Sequence, residues 1–595
     1  MSRSFSLARM FALFAAMCVL LAACGGSAPA AAPTAAPAAE APTAAPAAEA
    51  PTAAPAAEAP TAAPAAEAPT AAPVAAAPTA AAEPTAAAPA VELPEVSRED
   101  TLIFAADLTD QISMDPAVAY EFGGIQVVGS IYQTLVTILP GDPAVKPMLA
   151  KSWELKEGTD GTVITFKLDE KAKFASGAAV TADDVVYSWG RIVDLNKSPA
   201  FLFTDFGVTK DSFKAIDPQT VELTLPKSTS PQVFMTVVAN SVAGVTEKKI
   251  LEANAGTDFG STWLNDHSAG SGPYTLAAWE RSTQTVLDIN PNYWGTAPAL
   301  KRVIMRNVSE QANLQSAIET GDADIVQDLG LEQAKALEGN ADVQLIKVNN
   351  TQLEYLGMNA KIAPFDNPDV REAVRYAINY DDITTLLNGN GKVVQEVIPE
   401  GFLGYTGETP FKQDIAKAKE LLAKAGVAEG TEVQLTVGSG IATGGIENST
   451  LAAKLQSDIE KIGLKVNIQQ IQSSELLNIY RAQKAQFVLL SWGPDYPDPH
   501  TNANPFTNYE AKSIAWRNGF EGPEIAKLAL DASLAPDTAA RAALYKQMTE
   551  RLFHEGPYAV LYQPTRTYAV RSNIKGFVYD QATVPNFFFW TISKS

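Results

Sequence analysis

Residues 487–499 read FVLLSWGPDYPDP, and this stretch indicates the fold class of the protein. The continuous apolar run at 487–490 is typical of a short strand buried on both faces of a parallel sheet. An aromatic ring, two carboxylates and three prolines follow it at once. In open α/β sheets, ligands bind in the crevice beyond the carboxyl ends of the strands. The stretch therefore predicts an α/β fold with a ligand crevice beside residues 492–499.

An alternation of strand and helix patterns precedes this stretch. Strands are predicted at 302–305, 324–326 and 343–348. Ser309 predicts the N-cap of a helix that buries Leu314, Ala317 and Ile318 and ends at Gly321, and residues 331–337 predict a short helix.

A second alternating block runs from 367 to 490. Helices are predicted from Asn367-Pro368, from Asp414 to Gly426, up to Gly463 and from Ser473, with strands at 433–437 and 465–471. Two α/β blocks in one chain predict two lobes with a cleft between them. Strand patterns and Pro-rich turns between 146 and 230 predict an extra subdomain in the first lobe.

The N-terminus predicts export. Arg3 and Arg9 precede an apolar run at 11–23, which is too short to span a bilayer, and Leu21-Ala22-Ala23-Cys24 closes it. This pattern resembles the lipobox of bacterial lipoproteins, in which Cys24 carries the lipid. A buried structural cysteine is the alternative. We therefore expect residues 1–24 to be a lipoprotein signal peptide and Cys24 the lipidation site.

Residues 25–96 predict a disordered tether. The nonapeptide APTAAPAAE repeats from residue 32, so proline recurs too often for a helix and almost nothing apolar is available to bury. We expect an extended Ala/Pro-rich segment that lets a soluble body move above a membrane.

Composition narrows the function of the body. Both cysteines, Cys18 and Cys24, lie in the signal region, which excludes disulfides and Cys chemistry from residues 97–595. Of the net charge of −22, about −17 belongs to the body, because residues 1–97 hold two arginines and seven glutamates. An acidic surface disfavours nucleic acid and anionic lipid. No second apolar run approaches spanning length, so we expect the lipid to be the only membrane contact.

Short motifs follow one another along residues 100–595. They are SMDP at 113–116, IYQTL at 131–135, LAKSWE at 149–154, VTADDVVYS at 180–188, GSGPY at 270–274, NPNYWG at 290–295, VREAV at 370–374 and WGPDYPDP at 492–499. In this order they resemble the family 5 solute-binding proteins of ABC importers, the dipeptide, oligopeptide and nickel-binding group.

The resemblance implies a two-lobed periplasmic-binding-protein-like fold (type II-like) with an extra subdomain in the first lobe. Lobe one would comprise residues 97–350, with the inserted subdomain at about 140–267, and lobe two residues 351–561. The chain would leave lobe one near Asn350 and return near Tyr562, so that residues 562–595 complete lobe one.

The candidate site centres on Asp495. It resembles the residue that pairs with the ligand's α-amine in peptide-binding relatives, and Trp492 offers a ring face beside it. A turn-forming role is the alternative for Asp495, and it is favoured for Asp498. The resemblance also places in the cleft Tyr120 and Phe122, which packing alone would also explain, and Trp516 and Asn518. For the far end of the ligand, Arg481, Arg517 and other arginines are candidates that the sequence does not distinguish.

Other chemistries have weak support. The loop at 438–445 lacks the spacing of a phosphate-binding loop and is predicted to be a plain connection between a strand and a helix. Three histidines without paired spacing and no cysteine in the body argue against a metal site, and no cofactor is expected. No G-x-S-x-G elbow is present.

We therefore expect an exported, lipid-anchored binding protein, periplasmic or on the outer face of the cell membrane. It would capture peptides by hinge closure and deliver them to the permease of an ABC importer. We expect a monomer, with no enzymatic activity and no nucleic acid partner. An oligosaccharide or other non-peptide solute is the alternative ligand, and an exported hydrolase using Asp495 and Asp498 is a remote alternative.

Overall fold

The computed structural model describes residues 93–581 and 583–595. The predicted signal peptide with Cys24, and residues 25–92 of the predicted tether, lie outside the described residues. Among the helices that are described, none combines the length and the apolar composition needed to cross a membrane.

Strands and helices alternate along the described residues. The strands are β1 (Thr101–Ala106), β2 (Val136–Leu139), β3 (Asp142–Pro147), β4 (Ala150–Glu157), β5 (Gly161–Leu168), β6 (Phe213–Asp217), β7 (Thr220–Pro226), β8 (Tyr274–Glu280), β9 (Gln284–Ile289), β10 (Arg302–Asn307), β11 (Ile325–Gln327), β12 (Val343–Asn349), β13 (Leu353–Met358), β14 (Gly391–Lys392), β15 (Thr431–Gly438), β16 (Leu464–Ile471), β17 (Phe487–Trp492), β18 (Tyr558–Arg571), β19 (Ile574–Lys575) and β20 (Ser593–Lys594). The helices are α1 (Phe122–Ile131), α2 (Ala182–Leu195), α3 (Phe201–Thr204), α4 (Pro231–Val238), α5 (Lys248–Ala253), α6 (Gln311–Thr320), α7 (Leu331–Ala336), α8 (Pro368–Ala377), α9 (Tyr380–Leu387), α10 (Ile415–Lys424), α11 (Asn448–Glu460), α12 (Ser473–Arg481), α13 (His500–Thr507), α14 (Ile514–Arg517), α15 (Pro523–Leu534) and α16 (Thr538–Glu555).

One mixed sheet runs through both lobes. Its strand order is β16-β15-β17-β13-β18-β11-β1-β10-β9-β8, and β12 and β14 also pair with β18. Strand β15 is parallel to β16 and β17, and β1 is parallel to β10 and β11. The mixed sheet and the helices that alternate with its strands confirm the predicted α/β fold class.

Strand β18, with 14 residues, takes part in both lobes. Residues 558–562 pair antiparallel with β13, whereas residues 565–571 pair antiparallel with β12. The two crossings between the lobes therefore lie at residues 350–352, between β12 and β13, and at residues 563–564 within β18.

The predicted elements of the block at 302–349 are present as β10, α6, β11, α7 and β12. The N-cap of α6 was predicted wrongly: it is Glu310 and not Ser309, because Glu310 still has extended backbone angles (φ −82°, ψ 124°) and the helix begins one residue later. Gly321 ends α6 in the left-handed conformation, with φ 82°, as its lack of a Cβ allows.

The apolar run at 487–490 forms β17. Phe487 and Leu489 pack into one hydrophobic cluster of lobe two, and Val488 and Leu490 pack into the cluster on the opposite face. Burial on both faces is thus confirmed. The surrounding sheet is mixed, however, because β17 is parallel to β15 but antiparallel to β13. Burial of each such apolar side chain stabilises the folded state by about 1.5–3 kcal/mol relative to an exposed side chain.

A separate sheet lies beside the main sheet of lobe one. Strands β4-β5-β7-β6 form a separate antiparallel sheet that packs against α2, with Phe166, Trp189 and Phe203 in a core of their own. The boundaries of the inserted subdomain at about 140 and 267 stay a prediction. The C-terminal residues return to lobe one, where Phe587 and Phe589 pack on Phe104 of β1, with ring centroids 5.6 and 5.8 Å apart.

Candidate ligand-binding site

The loop after β17 is fixed by Asp498, which is buried. Arg541 from α16 donates through Nη2 to both carboxylate oxygens at 2.8 and 2.7 Å. The backbone N–H of His500 donates to the same carboxylate at 2.9 Å. Asp498 therefore shapes the turn, as its sequence context favours, and it also ties the loop to α16. Because Arg541 already pairs with the carboxylate of Asp498, this carboxylate is not available to a ligand.

Asp495 lies where the two lobes meet. The hydroxyl of Tyr120 in lobe one donates to its carboxylate. The side-chain amide of Asn240, also in lobe one, donates to the backbone carbonyl of Asp495 at 2.9 Å. Within lobe two, the backbone N–H of Asp495 donates to the hydroxyl of Thr501 at 2.8 Å. Three hydrogen bonds from both lobes thus fix the orientation of this residue.

The carboxylate of Asp495 has no cationic partner within residues 93–581 and 583–595. Among the described residues, no Lys, Arg or His side chain forms an ion pair with it, whereas Asp115 is paired with Arg191. Burial raises the pKa of Asp495 to about 7; the bond from Tyr120 opposes this shift and repulsion from Asp205 adds to it. A desolvated carboxylate with a neutral partner is a site for a cation.

A cavity of about 340 Å³ opens beside Asp495 between the lobes. Its lining comes from both lobes and from the crossing at Asn350–Gln352. It includes Ala119, Tyr120, Phe122, Ile125, Asn240, Phe402, Gly493, Pro494, Asp495, Arg566, Tyr579 and Gln581. Of the described residues that line it, Asp495 is the one acid and Arg566 the one base. The volume is in the range of small-molecule sites.

A smaller cavity of about 60 Å³ adjoins the other side of Asp495. Trp492, Asp205 and His500 also line it. The ring of Trp492 packs edge-on against Phe506, and its Nε1 is buried with no hydrogen-bond acceptor among the described residues. Trp492 therefore borders the smaller cavity with a buried N–H that has no acceptor among the described residues.

Comparison with known proteins places this arrangement in a family. The family model described as "Bacterial extracellular solute-binding proteins, family 5 Middle" matches residues 144–513. The chain is a family 5 bacterial extracellular solute-binding protein. A relative is the probable D,D-dipeptide-binding periplasmic protein DdpA of Escherichia coli (strain K12), 29% identical over 493 residues that cover 82% of this chain and 93% of that protein.

Two further relatives of this family 5 protein are informative. Di/tripeptide-binding protein 2 of Pseudomonas aeruginosa (strain UCBPP-PA14) is 26% identical over 476 residues, covering 75% of this chain and 86% of that protein. The solved structure of the ABC transporter-associated periplasmic binding protein DppA from Helicobacter pylori, in complex with peptide STSA, superposes with a TM-score of 0.70 at 25% identity. It covers 83% of this chain and 98% of that chain. The predicted two-lobed binding-protein fold is thereby confirmed.

Four of the six predicted ligand-binding residues come together in the family 5 protein. Tyr120, Phe122 and Asp495 line the larger cavity, and Trp492 and Asp495 line the smaller one. They arise from distant parts of the chain, because β17 ends at Trp492 and α1 begins at Phe122 on the opposite wall. Their role in binding stays a prediction.

Trp516 and Asn518 are not among the lining residues of the two cavities beside Asp495, and their predicted place in the cleft stays a prediction. Trp516 belongs to the short helix α14, and Asn518 is its C-cap. Trp516 packs on Tyr509, with ring centroids 4.8 Å apart. Asn518 is buried and donates to the hydroxyl of Tyr480 at 2.6 Å and to the carbonyl of Ile514 at 2.9 Å.

Arg566 is the cleft residue that the sequence reasoning missed. Arg481 and Arg517, the arginines named among the candidates for the far end of the ligand, do not line either cavity. Arg566 does, because β18 carries it through the crossing between the lobes. No local signal distinguishes Arg566 from the other three basic residues of the segment 562–595, where the chain was predicted to return to lobe one.

The glycine-rich loop at 438–445 connects β15 to α11, as predicted. The hydroxyl of Thr443 donates to the buried carboxylate of Glu354 at 2.8 Å, and Tyr562 donates to the carbonyl of Thr443 at 2.6 Å. Burial raises the pKa of Glu354 to about 7, against the opposing effect of Thr443. The loop lines a third cavity of about 530 Å³ that shares Asn350, Gln352 and Arg566 with the first. Both cavities therefore border the crossings between the lobes.

The part of the chain that the structure describes contains no candidate metal-binding group. There, no three His, Cys, Asp or Glu side chains are grouped closely enough to hold an ion. His500 is buried beside the ring of Tyr496, whose hydroxyl lies 2.7 Å from Nδ1, and burial lowers the pKa of His500 to about 4. This histidine packs as a neutral group.

Proposed function

We propose that this protein captures a peptide in the cleft between its lobes and delivers it to the permease of an ABC importer. The observation that carries the proposal is Asp495, a desolvated carboxylate in an interlobe cavity, with a neutral hydrogen-bond partner and no ion pair to any described residue. The peptide-binding names of two relatives and the peptide in the Helicobacter structure support the same class of ligand.

The ammonium group of a peptide is the cation that the site requires. An unpaired carboxylate in a low-dielectric cavity has a large desolvation cost, and a charge-assisted hydrogen bond from an ammonium offsets it. Asp495 lines the same cavity as Tyr120 and Phe122. A peptide would thus place its N-terminus at Asp495 and extend along the cavity.

Closure of the lobes follows from the same contacts. Tyr120 and Asn240 of lobe one both bond to Asp495 of lobe two. The two crossings, at 350–352 and 563–564, are the segments about which the lobes would rotate. A ligand that touches both lobes binds the closed form more tightly and shifts the population toward it. Only the closed form would then engage the permease productively.

The alternatives have less support. A neutral oligosaccharide would leave Asp495 buried without a counter-ion. A hydrolase that uses Asp495 and Asp498 as a carboxylate pair would need both in one cavity, but Asp498 is paired with Arg541 and does not line either cavity beside Asp495. Membership of a solute-binding family likewise favours a protein that is not an enzyme.

We further propose that the protein is exported, anchored through a lipid on Cys24 and monomeric. The signal pattern at 1–24, the repeats that follow and the extracellular family support this location. The tether would let the body reach a permease without further membrane contact.

Mass spectrometry of ligand released by denaturing the purified protein tests the proposal. The expected result is one or more peptides, together with a melting temperature that rises with added peptide while the peptide stays intact. Ligand at one hundred times its Kd stabilises a folded protein by about 2.7 kcal/mol. Recovery of a sugar, or appearance of cleaved peptide, would contradict the proposal.

A further inference from the structure

A second carboxylate, that of Asp205, lies beside Asp495 and comes from the opposite lobe. Asp205 is the C-cap of the short helix α3 in lobe one. It lines the smaller cavity, of about 60 Å³, together with Asp495 of lobe two. Among the described residues, the side chain of Asp205 forms no hydrogen bond and no ion pair. The smaller cavity therefore has one acid from each lobe in its wall.

Aromatic contacts hold the two acids at this place. The ring of Phe206, the residue that follows Asp205, lies 5.9 Å from the ring of Tyr496, measured between centroids. It also lies 5.5 Å from the ring of His500. Tyr496 directly follows Asp495 in the chain, so the packing of Phe206 on lobe two brings the end of α3 against the loop that carries Asp495.

The described lining of the smaller cavity contains no cation that would compensate these acids. His500 lines it, but burial lowers the pKa of His500 to about 4, so this ring is neutral. Arg541 already pairs with Asp498. Repulsion from Asp205 is one of the causes that raise the pKa of Asp495. Two carboxylates from opposite lobes thus repel each other across a small cavity.

This repulsion depends on the position of the lobes. Rotation about the crossings would separate Asp205 from Asp495, so the repulsion opposes the closed form. Asp205 is exposed to solvent, which favours its ionised form, against the partial burial that raises its pKa. A cation at Asp495 would attract both carboxylates and offset their repulsion, whereas an uncharged ligand end would leave it in place.

We propose that Asp205 is a specificity-determining residue, which together with Asp495 makes closure over an uncharged ligand end unfavourable. Asp495 supplies the attraction for an ammonium, and Asp205 adds the repulsion that rejects ligands without one. This inference rests on the proposed function and adds the means by which the cleft excludes ligands that lack a positive charge.

Calorimetric titration with free and with N-acetylated trialanine tests the inference, at about pH 7.5, where most of the peptide amine is protonated. The wild type should prefer the free form ten- to a hundredfold. Asp205→Asn should reduce this preference about tenfold, the order expected for two neighbouring charges, because the acetylated form binds more tightly and the free form less tightly. A purely structural role of Asp205 would weaken the binding of both forms alike.

Two further variants serve as controls. Asp205→Glu keeps the charge and should retain the preference of the wild type. Asp211→Asn removes an exposed acid of the same lobe that lines neither cavity beside Asp495, and it should also retain the preference. A preference reduced as much in Asp211→Asn as in Asp205→Asn would assign the effect to net charge and overturn the specific role of Asp205.

The outcomes separate this inference from the proposed function. If the wild type prefers the free form and Asp205→Asn keeps that preference in full, the role of Asp205 is overturned and peptide capture stands. Equal weakening of both forms in Asp205→Asn overturns it as well. Equal binding of both forms by the wild type removes the ammonium from Asp495, and the role of Asp205 fails with it. If the wild type binds neither form, peptide capture itself fails.

Discussion

The hydroxyl of Tyr120 in lobe one donates a hydrogen bond to the carboxylate of Asp495 in lobe two. The two residues are 375 positions apart, and their contact joins the opposite walls of the cavity. The bond exists only when the lobes are close, so it favours the closed form. It also fixes one oxygen of the carboxylate and leaves the other for a ligand.

Removal of this hydroxyl should weaken capture. In Tyr120→Phe the closed form loses a hydrogen bond to a charged group, and we expect peptide affinity to fall about tenfold. Calorimetric titration measures the change. Tyr187→Phe is the control, because Tyr187 lies on α2 away from both cavities beside Asp495. Unchanged affinity in Tyr120→Phe would mean that the contact does not contribute to closure.

Peptide affinity should depend on pH through Asp495. Burial raises the pKa of Asp495 to about 7, so below pH 7 the free protein holds mostly the neutral acid, which cannot pair with an ammonium. We expect affinity to fall about tenfold per pH unit from 7 to 5, and to fall again above about pH 8 as the peptide α-amine loses its proton.

Asp495→Asn controls for other groups in this pH range. The pKa of Glu354 is also raised to about 7, and Glu354 stays in the variant. The variant should lose the decline between pH 7 and 5, measured by titration at each pH. A decline of the same size in the variant would assign the pH dependence to another group.

Asp498→Asn should lower the free energy of unfolding. The variant leaves Arg541 buried without its carboxylate, and breaking a buried ion pair costs about 3–5 kcal/mol. Urea unfolding measures the loss. Asp531→Asn is the control, because Asp531 pairs with Lys527 at the exposed surface of α15 and should cost less than about 1 kcal/mol. A loss for Asp498→Asn no larger than that of the control would contradict a buried pair.

Cys24→Ala should release the protein from membranes, because Cys24 supplies the thiol that the Leu21-Ala22-Ala23-Cys24 pattern requires. Fractionation after detergent-free washing measures the membrane-bound share. Cys18→Ala, within the apolar run, should stay anchored. Equal retention of Cys24→Ala and the wild type would show that the lipid does not anchor the protein.

Individual helices and strands could be predicted from the sequence because the residues that define each of them lie close together in the chain. Asp414 caps α10 by accepting a bond from the N–H of Lys417 at 2.8 Å, and Gly321 ends α6 with φ 82°. The apolar run of β17 likewise marked a strand buried on both faces. Each of these features follows from a propensity or a periodicity.

The candidate site could be predicted from the sequence only in part. Asp495 was identified because it follows a buried strand, but its contact with Tyr120 depends on how the lobes meet. Arg566 entered the cavity through the path of β18, which no local pattern encodes. The contacts of Trp516 and Asn518 depend on the packing of the four-residue helix α14, which their residue types alone do not encode.

The central claim is that Asp495 receives the ammonium of a peptide. Calorimetric titration of wild type and Asp495→Asn with trialanine, with a free or an acetylated N-terminus, tests it most directly. We expect acetylation to reduce wild-type affinity ten- to a hundredfold and Asp495→Asn to bind both forms weakly and alike. Equal binding of free and acetylated trialanine by the wild type would contradict the claim.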